Sequence, residues 1–259
     1  MLSAEYIQGQ QGYWLLTKWR TNATTQQPHA LLLLPPFGEE MNCVRRHYAA
    51  LGRQVAAAGI DVYLMDFYGT GDSEGQFADS SVTLWQADCL RWLATLCGYS
   101  QLHLLGCRFS AALLLDWLPA IQHQLAAQHI SVGKVLLWQP MLQIDKFWQQ
   151  LRRQQLLSGQ QAADEVAGYQ LPAGLQAGIQ ALQTNISRLQ GLVVLWLEAQ
   201  LSGQPSPASL RMLQASPDIH HQTLPLPPYW LEQEVLDGLD SSQLIAASHH
   251  FLTERPDVT

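Results

Sequence analysis

Short apolar runs alternate along this chain with longer segments of helical periodicity. The runs are Ala30–Leu34, Val62–Met65, Leu102–Leu105, Val135–Trp138, Leu192–Leu197 and the shorter Gln222–Leu226. Because their apolar residues are largely continuous rather than alternating, they predict strands that are buried on both faces, as in a parallel sheet. Near the start, Tyr6–Gln8 and Tyr13–Arg20 flank a Gly/Gln turn and predict an antiparallel opening pair.

Helices are predicted between these strands, at about 42–58, 82–97, 109–128, 145–157, 172–185, 205–214 and 241–253. Strands that alternate with helices in this way imply a parallel sheet with right-handed crossovers. The predicted fold class is therefore α/β: a single domain over residues 1–259 with a mostly parallel, doubly wound sheet.

One segment, residues 141–190, is too long to be a simple crossover between strands. Its amphipathic, Gln-rich sequence predicts two or three short helices over the end of the sheet. Ligands of such sheets bind at the carboxyl ends of the strands, so a helical lid over a pocket is one interpretation. An ordinary packing extension of the domain is the other.

Composition makes a folded globular domain the expectation, since 47% of the residues are hydrophobic and only 14% are charged. The formal net charge is -7 and the sequence has no basic run, which argues against a nucleic-acid partner. No apolar stretch approaches the roughly 20 residues of a membrane span. The first residues lack the charged and apolar regions of a signal peptide, so a cytoplasmic location is expected.

Neither a metal nor a nucleotide cofactor is expected. The four cysteines form no CxxC pair of the kind found in zinc sites, and their spacing indicates no disulfide framework. Gly69 and Gly71 form a G-x-G without the third glycine of a dinucleotide fingerprint.

Three loops that follow three of the predicted strands carry recognisable motifs. They are PPFGEEMN (Pro35–Asn42), DFYGTGDSEG (Asp66–Gly75) and GCRFSAALLL (Gly106–Leu115). Their succession resembles the α/β-hydrolase superfamily, with an oxyanion loop, a Gly-Asp-Ser turn and a nucleophile elbow in that order. The resemblance implies the α/β-hydrolase fold.

More specifically, the chain is similar to the second of the two hydrolase-like families associated with the bacterial exosortase A system. That system sorts proteins with C-terminal anchors and is linked to exopolysaccharide export. The matching pieces are PPFGEEMN with the following Arg-Arg, DFYGTGDSEGQFAD, GCRFSAALL, EVAGYQL and PPYW. This resemblance implies hydrolase activity, and it suggests proteins of the exosortase and exopolysaccharide machinery as partners.

The elbow motif itself disagrees with ordinary serine hydrolysis. In a G-x-S-x-G elbow the central Ser is the nucleophile and small residues flank it. Here Gly106 and Ser110 occupy the small positions, and Arg108 stands at the nucleophile position. A guanidinium is always protonated and offers only donors, so it cannot attack a carbonyl. Taking Ser110 as the nucleophile instead would place Arg108 where a glycine is needed, and Cys107 is expected in the core.

A catalytic histidine is also missing from its usual place after the last strand. That strand runs into a Pro-rich loop that ends in Tyr229 and Trp230. His220 and His221 precede the strand, so they are expected as solvated loop residues at its opposite end, roughly 15–20 Å away. Glu198 remains as a possible triad acid after the Leu192–Leu197 run.

The oxyanion hole, by contrast, is expected to survive, formed by the backbone N–H groups of Phe37 and Phe109. Arg108 would lie at a helix N-terminus, where a cation is disfavoured unless an anion is close. That anion is either a bound ligand or one of three carboxylates: Glu39, Glu40 and Glu198. A simple salt bridge that holds the loop, and an anion pocket made by Arg108 and the two amides, both fit the sequence.

Two functions follow from these residues. The first is an atypical hydrolase of an ester, thioester or similar acyl group, in which one of the same three glutamates activates water and Arg108 holds a carboxylate or phosphate. The second is a binding protein on a degenerate hydrolase scaffold, which holds an anionic metabolite or a partner protein. In either case Phe37, Phe109 and Trp230 are expected to line an apolar mouth beneath residues 141–190.

Overall fold

The computed structural model describes residues 1–23, 28–157, 165–166, 169–214, 216, 218–231 and 241–254. Its strands are β1 (Leu2–Gln8), β2 (Tyr13–Trp19), β3 (His29–Leu34), β4 (Ile60–Met65), β5 (Gln101–Cys107), β6 (Ser131–Trp138), β7 (Glu165–Val166), β8 (Tyr169–Gln170), β9 (Val193–Ala199) and β10 (His220–Leu224). Its α-helices are α1 (Glu40–Ala57), α2 (Val82–Leu93), α3 (Phe109–Ala126), α4 (Ile144–Leu157), α5 (Ala173–Gln180), α6 (Pro207–Gln214) and α7 (Ser242–Thr253). Short 3₁₀ helices lie at Phe77–Asp79 and Ile186–Leu189.

Eight strands form one sheet in the order β1-β2-β4-β3-β5-β6-β9-β10. β2 is antiparallel to both of its neighbours, β1 and β4, and every other neighbouring pair in this sheet is parallel. The predicted fold class, a mostly parallel sheet with an antiparallel opening pair, is confirmed.

The central strands supply side chains to two cores, one on each face of the sheet. In β3, Leu32 and Leu34 belong to the core beneath α2 and α3, whereas Leu31 and Leu33 belong to the core beneath α1 and α7. Successive side chains of a strand point to opposite faces, so a strand covered by helices on both sides is apolar at every position. This double cover explains the continuous apolar runs in the sequence.

The carboxyl ends of the central strands meet at one edge of the sheet. Leu34 of β3 pairs with Gly106 of β5, and Cys107 of β5 pairs with Trp138 of β6. Trp138 lies in turn opposite Leu197 of β9. The residues that follow these strands are therefore close in space, although they are far apart in the sequence.

Residues 141–190 form α4, the β7–β8 hairpin, α5 and the second 3₁₀ helix where the structure describes them. α5 packs on α2, and Arg188 donates from Nη1 to the main-chain oxygens of Leu115 and Asp116 in α3 at 2.9 Å each. Residues 158–164 and 167–168 lie outside the described residues, and the EVAGYQL motif falls partly among them. α4 lies where a helix is predicted at 145–157, whereas α5 ends five residues before the predicted end at 185, and the β7–β8 hairpin was not predicted. The role of this segment as a lid stays a prediction.

Candidate functional site

Arg108 lies at the turn between β5 and α3 in a strained backbone conformation. Its φ is 55° and its ψ is -120°, a combination that costs about 1–3 kcal/mol in a residue other than glycine. The turn is held by two main-chain hydrogen bonds: the Arg108 N–H donates to Trp138 O at 2.9 Å, and the Met141 N–H donates to Arg108 O at 3.0 Å. This sharp strand-to-helix turn is the geometry that a nucleophile elbow requires.

The small residues on either side of Arg108 serve the packing of this turn. A Cβ on Gly106 would lie only 2.7 Å from Ala111 Cα, so the close approach of α3 to β5 requires glycine. Ser110 is fully buried, and its Oγ bonds to Leu34 O, Cys107 O and Cys107 N at 2.9 Å each. Since its hydroxyl is committed to the main chain and closed to solvent, Ser110 ties β3 to the elbow and is not placed as a nucleophile.

The side chain of Arg108 is 6% exposed and touches three different groups. Nε and Nη2 donate to Glu40 Oε1 at 3.0 and 2.9 Å, and Nη2 also donates to Gln150 Oε1 of α4 at 3.0 Å. The guanidinium lies over the ring of Trp230, with Cζ 4.5 Å from the ring centroid. Nη1 has no hydrogen-bond partner among the described residues.

Of the three glutamates that the sequence offers, Glu40 is the partner of Arg108. Burial raises the pKa of Glu40, and the Arg108 charge and hydrogen bonds act against that rise. One of its oxygens, Oε2, is buried without a hydrogen-bond partner in the part of the chain described. Glu39, the preceding residue, is exposed and accepts from Asn42 Nδ2 at 2.7 Å. The pair joins the first turn of α1 to the elbow.

Glu198 belongs to a different cluster, at the carboxyl end of β9. It accepts from Ser206 N at 3.3 Å and contacts His221 Nε2 at 3.1 Å. Burial acts to raise the pKa of Glu198, but hydrogen bonds from His221, Ser206 and Ser209 prevail and lower the pKa to about 2. Glu198 is therefore an ionised carboxylate fixed by these hydrogen bonds, and it makes no ion pair with Arg108.

The expectation that His221 is a solvated loop residue far from this edge is wrong. β10 begins at His220, two residues earlier than predicted, and its parallel register pairs His221 with Trp196. Glu198 is two residues after Trp196 in β9, so its side chain lies on the same face of the sheet as that of His221. His221 therefore reaches Glu198, and its side chain is only 12% exposed. His220 is exposed. The contacts of His221 are with Glu198 and the Trp196 ring, and among described residues no hydroxyl or thiol completes a triad with them.

The two expected oxyanion donors lie beside a cluster of aromatic rings. The Phe109 N–H opens α3, where a helix has no internal acceptor, and neither this amide nor that of Phe37 finds an acceptor in the described chain. The Phe109 ring stacks on Phe147 of α4 with centroids 4.6 Å apart, and Phe37 meets both rings edge-on. The third aromatic residue predicted for this mouth, Trp230, instead covers Arg108.

Two cavities open on either side of the elbow. The larger, about 380 Å³, lies between α1 and the 66–77 turn, and its lining includes Phe37, Phe109, Arg45 and Asp66. The smaller, about 190 Å³, is lined by the polar residues Arg108, Lys146, Glu198, Ser206 and Ser209 and by apolar residues that include Met141, Leu142 and Met212. Within the described ranges, no group of three or more His, Cys, Asp or Glu side chains is placed to hold a metal ion, and no helix is long and apolar enough to cross a membrane.

Several residues of this site give little signal in the sequence. Phe147 and Gln150 belong to an amphipathic helix whose docking position the sequence does not fix. The Glu198–His221 contact depends on strand register, and the Arg45–Asp66 pair joins two motifs that are 21 residues apart. The Arg-Arg that follows PPFGEEMN was the one available sign that Arg45 belongs to the site.

No family model and no curated protein sequence matches this chain. Among solved structures it is similar to Est1E from Butyrivibrio proteoclasticus with bound ferulic acid, at TM-score 0.69 and 15% identity, covering 96% of this chain and 97% of that one. It is also similar to a monoglyceride lipase from Saccharomyces cerevisiae, at TM-score 0.63 and 12% identity over 97% and 96% of the two chains. A third is XC6422 from Xanthomonas campestris, an α/β serine hydrolase without a lid, at TM-score 0.57 and 15% identity over 100% and 96%. These likenesses show that the chain has the α/β-hydrolase fold.

Proposed function

We propose that this protein uses an α/β-hydrolase scaffold to bind a small anionic molecule at Arg108, without the acyl-enzyme chemistry of a serine hydrolase. The observation that supports this most directly is the guanidinium at the nucleophile position. A guanidinium cannot attack a carbonyl. The nearest hydroxyl of the motif, that of Ser110, is hydrogen-bonded to the main chain, and the Trp230 ring covers the Arg108 side chain.

The hydrogen-bonding state of Arg108 supports an anion as the ligand. Arg108 lines the 190 Å³ cavity, where a donor that its protein partners leave unused can form a charge-assisted hydrogen bond to a bound anion. Glu40 and Gln150 engage Nε and Nη2, which leaves Nη1 without a hydrogen-bond partner among the described residues. A carboxylate or phosphate in the 190 Å³ cavity would accept from Nη1, and Lys146 in the same lining adds positive charge. Glu198 also lines this cavity, but its oxygens are occupied by Ser206 and His221.

A second candidate function is an atypical hydrolase of an ester or thioester. The amides of Phe37 and Phe109, which find no acceptor in the described part of the chain, favour it, since this is where an oxyanion is stabilised in the fold. Glu40 would activate water, because its raised pKa suits a general base better than an ordinary glutamate. A monoglyceride lipase is among the solved structures of the same fold, so the scaffold is compatible with ester hydrolysis by analogy.

For either activity, the motif resemblance to the exosortase-associated family suggests where the protein works. We propose proteins of the exosortase and exopolysaccharide machinery as its partners. Affinity purification of the tagged chain from a host that carries this system tests the point, and a tagged unrelated α/β-hydrolase provides the background. Recovery of the same proteins with both baits would contradict it.

The anion site is tested by thermal unfolding in phosphate and in short carboxylates at constant ionic strength. Both anions should raise the melting temperature of the wild type, because a ligand that binds only the folded state stabilises it. Arg108→Gln should abolish the shift, whereas Glu40→Gln should enlarge it, because it removes the negative charge that competes with the anion for Arg108. Arg53→Gln removes an exposed arginine of α1 and should leave the shift unchanged. A full shift in Arg108→Gln would place the anion elsewhere.

Turnover separates the two candidate functions. Fluorophosphonate probes should not label the elbow, and aryl esters and acyl-CoA thioesters should not be hydrolysed above background if the protein only binds. Hydrolysis that disappears in Glu40→Gln and persists in Ser110→Ala would establish the atypical hydrolase instead. Labelling that maps to Ser110 would contradict both proposals.

A further inference from the structure

The 380 Å³ cavity is separate from the Arg108 cavity and differs from it in the number of aromatic side chains in its lining. Five of its lining residues are aromatic: Phe37, Phe67, Phe77, Trp85 and Phe109. The Trp85 indole N–H already donates to Tyr68 O at 3.0 Å, so this ring presents an apolar face to its surroundings. The volume is at the lower end of the roughly 300–1,000 Å³ typical of small-molecule sites. Such walls suit a flat or short apolar body of about ten heavy atoms.

Arg45 and Asp66 supply the charged groups of this lining. Arg45 Nη2 donates to both oxygens of Asp66 at 3.0 and 2.9 Å, and the Asp72 N–H approaches Asp66 Oδ2 at 3.4 Å. The carboxylate is therefore buried and occupied. Nε and Nη1 of Arg45 have no acceptor among the described residues, and its side chain is 34% exposed. The groups of this ion pair that can still form hydrogen bonds are therefore the N–H donors of Arg45.

From these walls and this arginine we infer that the 380 Å³ cavity binds a small carboxylic acid with an aromatic or short apolar body. The body packs among the five rings, and the carboxylate accepts from Nε or Nη1 of Arg45. A carboxylate is the acceptor that a guanidinium binds most strongly and with defined geometry. The site uses neither the Arg108 side chain nor the 190 Å³ cavity, so it is independent of the anion site proposed above.

The source of affinity at this site follows from its charge balance. Asp66 neutralises Arg45, and the chain as a whole carries a net charge of -7, so no long-range attraction draws an anion to the cavity. Affinity then comes from burial of the apolar body and from the short contact with Arg45. Binding should depend more on the presence of the apolar body than on the salt concentration.

Phenylacetate is the test ligand, measured by isothermal titration calorimetry against acetate and the uncharged phenylacetamide. We expect the amide and acetate each to bind at least about tenfold more weakly than phenylacetate. Arg45→Gln should weaken phenylacetate binding by a similar factor of about ten. Arg46→Gln removes the neighbouring exposed arginine of α1, which lies outside the cavity lining, and should change binding by less than about twofold.

Because Arg45→Gln leaves buried Asp66 without its partner and could fail to fold, a second measurement uses the wild type alone. Crystals soaked in para-bromophenylacetate should show the anomalous bromine signal among the five rings of this cavity. Bromine at Arg108, or binding that is lost in Arg108→Gln and kept in Arg45→Gln, would overturn this inference while supporting the anion site at the elbow. Absence of any phenylacetate binding would overturn it as well, and would leave the phosphate shift at Arg108 as a separate question.

Discussion

At the scale of single residues, the turn between β5 and α3 has the backbone geometry of a nucleophile elbow although it carries no nucleophile. Arg108 keeps the strained φ of 55° although it cannot be a nucleophile. The turn is held by its surroundings: Gly106 allows α3 to approach, and Ser110 bonds across to β3. The strain is therefore supported by packing that does not depend on the side chain at position 108.

Gly106→Ala should test this packing directly. Its Cβ would meet Ala111 Cα at 2.7 Å, a main-chain atom that cannot move aside, so we expect a loss of about 1–3 kcal/mol of unfolding free energy. Gly174→Ala in α5 is the matched control, since nothing lies within 4 Å of the added Cβ. It should be neutral or stabilising by about 0.5–1 kcal/mol, because alanine favours helix. Urea denaturation measures both, and equal effects would contradict the packing argument.

At the scale of secondary-structure elements, α4 lies against the elbow through the contacts of Phe147 and Gln150. Among its described side chains, Phe147 and Leu151 are buried in the core, Ile144 and Trp148 pack against that core, and Gln150 accepts from Arg108. The lid prediction requires that this helix opens at a lower free energy than the strands of the central sheet. This is the physical content of the lid prediction for residues 141–190.

Hydrogen exchange tests that prediction. Amides of α4 should exchange faster than those of β5, and Phe147→Ala should speed exchange in α4 by removing its main apolar contact while β5 is unchanged. Gln149→Ala alters an exposed residue of the same helix and should leave exchange as in the wild type. Protection of α4 equal to that of β5 would make this segment an ordinary part of the domain.

At the scale of the whole molecule, buried histidines make the free energy of unfolding depend on pH. Burial lowers the pKa of His47 to about 4, assisted by the Arg46 charge. Burial also lowers the pKa of His103 to about 3, assisted by His29 and Lys134. In the unfolded chain both titrate near the ordinary 6.5, so the unfolded state binds more protons between these values. Stability is then complete above about pH 6.5 and is lost as the pH falls toward about 4.

The expected slope is up to about 1.4 kcal/mol of unfolding free energy per pH unit for each of the two histidines. Urea denaturation between pH 7 and pH 5 measures it. His103→Gln should remove the contribution of one proton to the slope, whatever its effect on stability at pH 7. His123→Gln, which replaces an exposed histidine, should leave the slope unchanged. An unchanged slope in His103→Gln would show that other groups cause the pH dependence.

The sequence by itself determined the fold class and the identity of the elbow residue. The continuous apolar runs correspond to β3, β4, β5, β6 and β9, because a strand that is buried on both faces is apolar at nearly every position. The loop motifs are local as well: Gly106, Arg108 and Ser110 are close in the chain, so their order alone predicted a turn with an arginine at its tip.

Tertiary structure decided which groups meet at that tip. Three glutamates were available to Arg108, and only the packing of α1 against the sheet edge brought Glu40, 68 residues away in sequence, to its guanidinium. The start and register of β10 carried His221 to Glu198, and the docking of α4 placed Phe147 where Trp230 had been expected. Such contacts depend on how separately formed elements pack, and a difference of two residues in where a strand begins changes which side chains are neighbours.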